Sequence, residues 1–201
     1  IVTAGYGLSQ SADGRVFEWN FPLLGTYWTG ADSMIQDILK KEKGSLKGKK
    51  IALVYHDSPY GKEPITALQA LAQKHGFELM LLPVIAPGVE QKSTWLQIRQ
   101  QRPEYVILWA AGIMTPTSIR EAQATGFPRE KIYGIWWAGS ESDVRDLGAT
   151  AKGYNAIAIQ GSADYGKAHD DILKYVYDKD QGSAESRAEV GTVSHTRGMM
   201  I

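Results

Sequence analysis

Short apolar runs recur along this sequence, each followed by a loop of glycine, proline or hydroxyl residues and then by an amphipathic helix pattern. That rhythm leaves few folds open. Lys50 to His56 is almost continuously apolar, as expected of a strand covered on both faces rather than one. Asp57-Ser58-Pro59-Tyr60-Gly61 is a loop with helix-cap residues, and Lys62 to His75 sets Ile65, Leu68, Leu71 and Ala72 on one helical face before Gly76 closes it. Phe77 to Val84 reads as the next strand. Ser93 then caps a helix carrying Trp95 and Ile98, which Pro103 ends.

The unit repeats with Tyr105 to Ala110 as a strand, and with Thr115-Pro116 as a cap and first-turn proline of a helix running to Gly126. Lys131 to Trp137 and Tyr154 to Gln160 are further strands, Asp143 to Leu147 is a short helix, and Lys167 to Tyr177 a longer one. Upstream, Val16 to Leu23 reads as an extended crossing segment and Trp28 to Lys41 as a helix. Strands alternating with helices predict an α/β fold: an open parallel sheet with helices on both faces, a flavodoxin- or Rossmann-like three-layer sandwich.

Several function classes lose support at this level. Lys+Arg and Asp+Glu both number 22, a net charge of zero, which argues against a basic nucleic-acid clamp. With no cysteine in the chain, disulfides, thiolate zinc sites and cysteine nucleophiles are excluded, and an oxidising compartment suits such a sequence. The longest apolar stretch, Phe77 to Val89, is broken by Pro83 and Pro87 and is too short to span a bilayer. The four histidines are scattered, none four residues from another, so no metal is expected. Gly5-Tyr6-Gly7 lacks the third glycine of a dinucleotide fingerprint, since Gln10 stands there, and no cofactor is expected. Gly139-Ser140-Glu141-Ser142 fails the nucleophile-elbow pattern at its last position, so no residue is assigned a catalytic role.

In open α/β sheets, ligands bind beyond the carboxyl ends of the strands. Those ends carry Asp57, Ser58 and Tyr60; then Trp109 leading into Gly112 and Thr115; then Trp136, Trp137 and Ser140. Aromatic walls beside helix starts describe a small-molecule cleft. Trp136 and Trp137, being adjacent, face opposite sides if both lie in a strand.

Gly48 to Glu63 resembles the strand–loop–helix that opens the second lobe of type I periplasmic solute-binding proteins of ABC transporters, in the branched-chain amino acid (leucine/isoleucine/valine) group. Arg102 to Leu108, Arg120 to Gly126 and Ala151 to Tyr154 are similar to the same group. Ile1 to Gly7 looks like a first-lobe strand and ligand loop, and His195 to Gly198 like the start of a helix returning to that lobe.

The resemblance implies two α/β lobes joined by hinges, a ligand enclosed between them, and a membrane permease as partner, with no catalysis. It also implies a periplasmic location, or an extracellular, lipid-anchored one in a Gram-positive organism. On this reading residues 1–21 are the edge of the first lobe and first hinge, 22–160 the second lobe, 161–189 the second hinge, helix and linker, and 190–201 the start of the returning helix. The remainder of the first lobe would lie outside this fragment.

The ligand-facing residues expected are Tyr6 and Gly7 from the first lobe and Trp109, Gly112, Trp136 and Tyr165 around the second. The hydroxyl that the family places in the first ligand loop is missing at Gly5, Tyr6 and Gly7, and Ala110-Ala111-Gly112 stands where the family often has a tyrosine. Those departures point to a ligand other than a simple aliphatic amino acid, so the ligand expected is a small amino acid or a carboxylate, an aromatic carboxylate being one such choice. Two alternatives remain open: a ligand-sensing domain of a regulator or receptor, and a flavodoxin-like or hydrolase-like enzyme using His56 and Asp57.

Overall fold

The computed structural model describes residues 2–3, 13–22, 25–158, 170–171, 174–176 and 178. β1 (Val2–Thr3) and β2 (Phe21–Pro22) pair in parallel as a small sheet of their own. The main sheet has five parallel strands: β3 (Lys50–His56), β4 (Glu78–Val84), β5 (Tyr105–Trp109), β6 (Ile132–Gly134) and β7 (Asn155–Ala156), in the order β4-β3-β5-β6-β7. The expected parallel sheet wrapped by helices is therefore what the chain adopts.

The central strands explain their own composition. Ile51 to Val54 and Val106 to Trp109 have no exposed surface, because neighbours cover them above, below and to both sides. Helices α1 (Tyr27–Lys41) and α3 (Ile65–His75) pack together, as do α4 (Lys92–Gln101) and α5 (Met114–Thr125). Tyr105, Trp109 and Tyr133 reach α1: the Tyr105 hydroxyl donates to Glu42 and the Tyr133 hydroxyl to Asp37, each at 2.8 Å, while Trp109 meets Tyr27. These bonds fix the C-terminal end of α1. Lys49 and Tyr105 together hold the Glu42 carboxyl below its usual range, and Tyr133 does the same for Asp37.

The connection from β3 runs outward to β4 through α3, whereas the connection from β5 runs the opposite way to β6 through α5. With right-handed crossovers, the two helices lie on opposite faces of the sheet, so the loops after β3 and β5 diverge at the strands' carboxyl ends, the place where open α/β sheets form their ligand crevice.

Element boundaries differ from the sequence pattern in instructive places. The helix expected over Lys62 to His75 is two pieces, α2 (Pro59–Lys62) and α3, interrupted at Glu63-Pro64, because proline cannot donate to the preceding turn. Ser58 caps α2 as expected, its hydroxyl accepting from the Gly61 N–H. α5 begins at Met114, one residue before the expected cap, with no side-chain cap bond. The strand expected to reach Trp137 stops at Gly134, and Trp136–Ala138 is a turn of 3-10 helix. Gly76 and Gly126 do end their helices in the left-handed conformation, at φ of 74° and 76°.

One buried polar hub ties the face carrying α4 and α5. Gln91 has no exposed surface; its amide nitrogen donates to the carbonyls of Gly88 and Met114, and its oxygen accepts from Trp95 Nε1 at 3.2 Å and Ser118 Oγ at 2.7 Å. This pins the loop after β4 to the start of α5. Replacing Gln91 with Ala strands Trp95 Nε1 and the Gly88 carbonyl in a dry site, and should lower unfolding stability by about 2–4 kcal/mol in a urea titration. A loss under about 0.5 kcal/mol would mean that water replaces the amide.

Candidate functional site

The crevice floor is an aromatic cluster assembled from four segments. α1 runs antiparallel to the strands, so its first residue, Tyr27, arrives at the strands' carboxyl ends with 1% exposure. Trp136 stacks on the Tyr27 ring at 5.1 Å and 17°, whereas Trp109 and Tyr60 meet it edge-on at 5.4 Å and 5.5 Å. The Trp137 indole N–H donates to the Tyr27 hydroxyl at 2.8 Å. Offset stacks and edge-to-face pairs of this kind add about 0.5–1.5 kcal/mol each beyond burial. Gly30, one turn on from Tyr27, is required by the packing, since a Cβ there would overlap Ile135 and the Trp136 ring.

The two loops at the parting are fastened to each other. The Tyr60 hydroxyl donates to the Ala110 carbonyl at 2.9 Å, joining the loop after β3 to the loop after β5. His56 Nδ1 and Ser58 Oγ lie 2.8 Å apart, and Asp57 is paired with Lys62 at 2.7 Å. Gly61 sits so near the His56 carbonyl that a side chain there would displace the backbone. Gly112 lies exposed at the rim with φ of 54° and open space around it.

Among the described residues, Trp109 Nε1, Trp136 Nε1 and Thr115 Oγ1 are buried without a hydrogen-bond partner. The indoles can only donate, and a buried donor left unmade costs about 1–3 kcal/mol. This end of the lobe is thus rich in aromatic surface and in unanswered donors. The carboxylate of its β3 loop, Asp57, is already neutralised by Lys62. Also among the described residues, no three histidines or carboxylates gather in a way that could hold a metal, and no helix is long and apolar enough to cross a membrane.

Of the expected ligand-facing residues, Trp109 and Trp136 come together against Tyr27, and Gly112 stands at the rim of the same crevice. Trp109 is fully buried and Trp136 is 3% exposed, so both form the floor rather than open walls. Tyr6, Gly7 and Tyr165 lie outside the described residues. Sequence reasoning missed Tyr27 and the part played by Trp137. The available signal was Thr26-Tyr27, a cap and first helical residue: the Thr26 hydroxyl accepts from the Thr29 N–H. His56 and Asp57, the pair considered for catalysis, turn instead to Ser58 and Lys62.

Beside the floor, Asp143 lies in α6 (Glu141–Arg145), and burial pushes its carboxyl up to about 6. Burial, with the nearby Asp143 charge, also raises the Tyr154 hydroxyl, which donates to the Ala138 carbonyl. The folded state therefore holds the Asp143 proton more tightly than the unfolded chain does. The stability this brings is complete below about pH 4 and is lost as pH rises through about 6. Asp143→Asn should accordingly gain about 1 kcal/mol over the parent above about pH 7, and nothing below about pH 4, in paired thermal melts. A gain independent of pH would show that the carboxyl is not strained by burial.

A family model described as periplasmic binding protein matches residues 1–193. The chain is similar to a solved structure described as an ABC transporter permease from the Pseudomonas fluorescens group, at 39% identity and a TM-score of 0.81, covering 96% of this chain and 49% of that one. It is also similar in fold to a branched-chain amino acid ABC transporter protein from Thermus thermophilus with bound valine (16% identity, TM-score 0.71, 99% and 54% covered). A third likeness is to a fatty acid ABC transporter substrate-binding protein from Thermomonospora curvata (17% identity, TM-score 0.69, 89% and 46% covered). The chain thus spans about half the length of these structures. No curated protein matches it.

Proposed function

Because the chain belongs to the periplasmic binding protein family, we propose that it is the second lobe and hinge edges of a solute receptor for an ABC importer. In this reading residues 22–160 form the lobe, 1–21 and 190–201 belong to the first lobe, and 161–189 return to it. A small carboxylate, an aromatic acid above all, is enclosed in the crevice and delivered to a membrane permease. The receptor works in the periplasm, or outside the cell on a lipid anchor, and leaves the bonds of its solute untouched. Tyr6 and Gly7 approach the ligand from the first lobe; Trp109, Gly112, Trp136 and Tyr165 serve it from the second.

The observation that carries this reading is an aromatic floor at the strands' carboxyl ends together with indole donors that no group among the described residues answers. A carboxylate or carbonyl oxygen accepts from such donors, whereas an ammonium group cannot. An amino acid also needs an acceptor for its ammonium, and Asp57 in the loop after β3 is taken by Lys62. Closure follows as hinge motion in which contacts from both lobes favour the closed form.

Calorimetric titration of the protein with benzoate and with leucine, singly and in competition, separates the choices. Benzoate should bind and leucine should fail to displace it. Tight binding of leucine alone would overturn the ligand class while leaving the receptor role intact.

A further inference from the structure

At the end of the sheet opposite the crevice, α4 and α5 both finish, and a concavity of about 220 Å³ lies between their last turns. Ile98, Pro103, Phe127 and Pro128 give it apolar walls, while Arg99, Arg102 and Lys131 bring three cations to it. A second concavity, lined by Leu96, Arg99, Gln100 and Arg102, adjoins it, so the two arginines stand on the shared ridge. Leu96 is 51% exposed there.

Cations at helix C-termini commonly serve the helix dipole. Several of the carbonyls there are met by other donors, Gln101 O by Lys50 Nζ and Gln123 O by the Gly126 N–H among them. Ile98 O accepts from the Arg102 N–H, Ala122 O from the Phe127 N–H and Thr125 Oγ1, and Glu121 O from Thr125 Oγ1. The Phe127 carbonyl is taken by the Arg129 guanidinium at 3.0 Å, whose Nε is itself buried without a partner.

Nor do the neighbouring carboxylates neutralise the three. No salt bridge joins Arg99, Arg102 or Lys131 to a carboxylate among the described residues. Glu104 accepts from the Lys50 N–H, and Glu42 is held by Lys49 and Tyr105, although Lys131 still acts on it through space. Lys131 otherwise lies over the Tyr105 ring at 5.7 Å. Arg102 is placed by an uncommon backbone, φ of 51°, imposed where α4 must stop before Pro103.

We propose that this pocket is a second binding site, separate from the crevice, for a small organic anion with an apolar body. The planar guanidinium forks of Arg99 and Arg102 take the anionic head, and Phe127 with the two prolines covers the body. The five residues of β5 separate the two sites, so the pocket stands whether or not the crevice ligand is an aromatic acid.

Amide NMR titration at fixed ionic strength tests it, with phenyl phosphate and inorganic phosphate as probes. Phenyl phosphate should move the amides of Arg102, Gly126, Phe127 and Lys131 saturably, and inorganic phosphate should bind there roughly tenfold more weakly for want of the body. Arg102→Gly removes the fork while suiting the left-handed backbone, so the fold survives; together with Arg99→Gln it should weaken phenyl phosphate at these amides by at least about tenfold. No saturable shift at these amides, equal affinity for the two phosphates, or an unchanged titration in the double variant would each overturn the site.

Discussion

The contact of one tyrosine ring with three other aromatic rings holds the carboxyl end of this sheet together. Tyr27 is the first residue of α1, yet it meets the last residue of β5, the turn after β6 and the loop after β3. The far end of the same helix is fastened by Tyr105 and Tyr133 to Glu42 and Asp37. α1 is thereby fixed at both ends against the sheet, and the aromatic cluster is held in place by the protein's own packing. In the proposed receptor, such a preformed floor would limit the ordering that a ligand must bring about.

Topology decides where that floor can be. The order β4-β3-β5-β6-β7 sends the loops after β3 and β5 to opposite faces, and only there do the strand ends open a crevice. Tyr60 then bridges the parted loops at the Ala110 carbonyl, which stops the opening from spreading. The strong apolar burial of the central strands is what permits a few donors that nothing among the described residues answers, at the carboxyl end of the sheet. The Trp109 and Trp136 N–H groups are tolerable because the rest of the core is so fully packed.

Much of this was legible in the sequence, for stated reasons. A strand buried on both faces must be apolar throughout, so Lys50 to His56 and Tyr105 to Trp109 declared themselves, and Gly76 and Gly126 marked helix ends that need φ above zero. Trp136 and Trp137 misled because adjacent aromatic residues look the same in a strand and in a 3-10 turn; only the turn lets Trp136 stack on Tyr27 while the Trp137 N–H reaches its hydroxyl. Tyr27 stayed hidden because nothing local to it says that its helix runs antiparallel to the strands. Gln91, one polar residue before a helix, gave no sign that four partners converge on it, since those contacts come from residues as far off as Ser118.

Diffraction from crystals of the protein soaked in benzoate would locate the ligand relative to this floor. Ring density at the carboxyl ends of β3 and β5, flanked by residues 56–60 and 110–113 and above the aromatic floor, is the expected result. A map with that crevice filled by protein side chains and no ligand there would contradict it, whatever other sites the benzoate occupies.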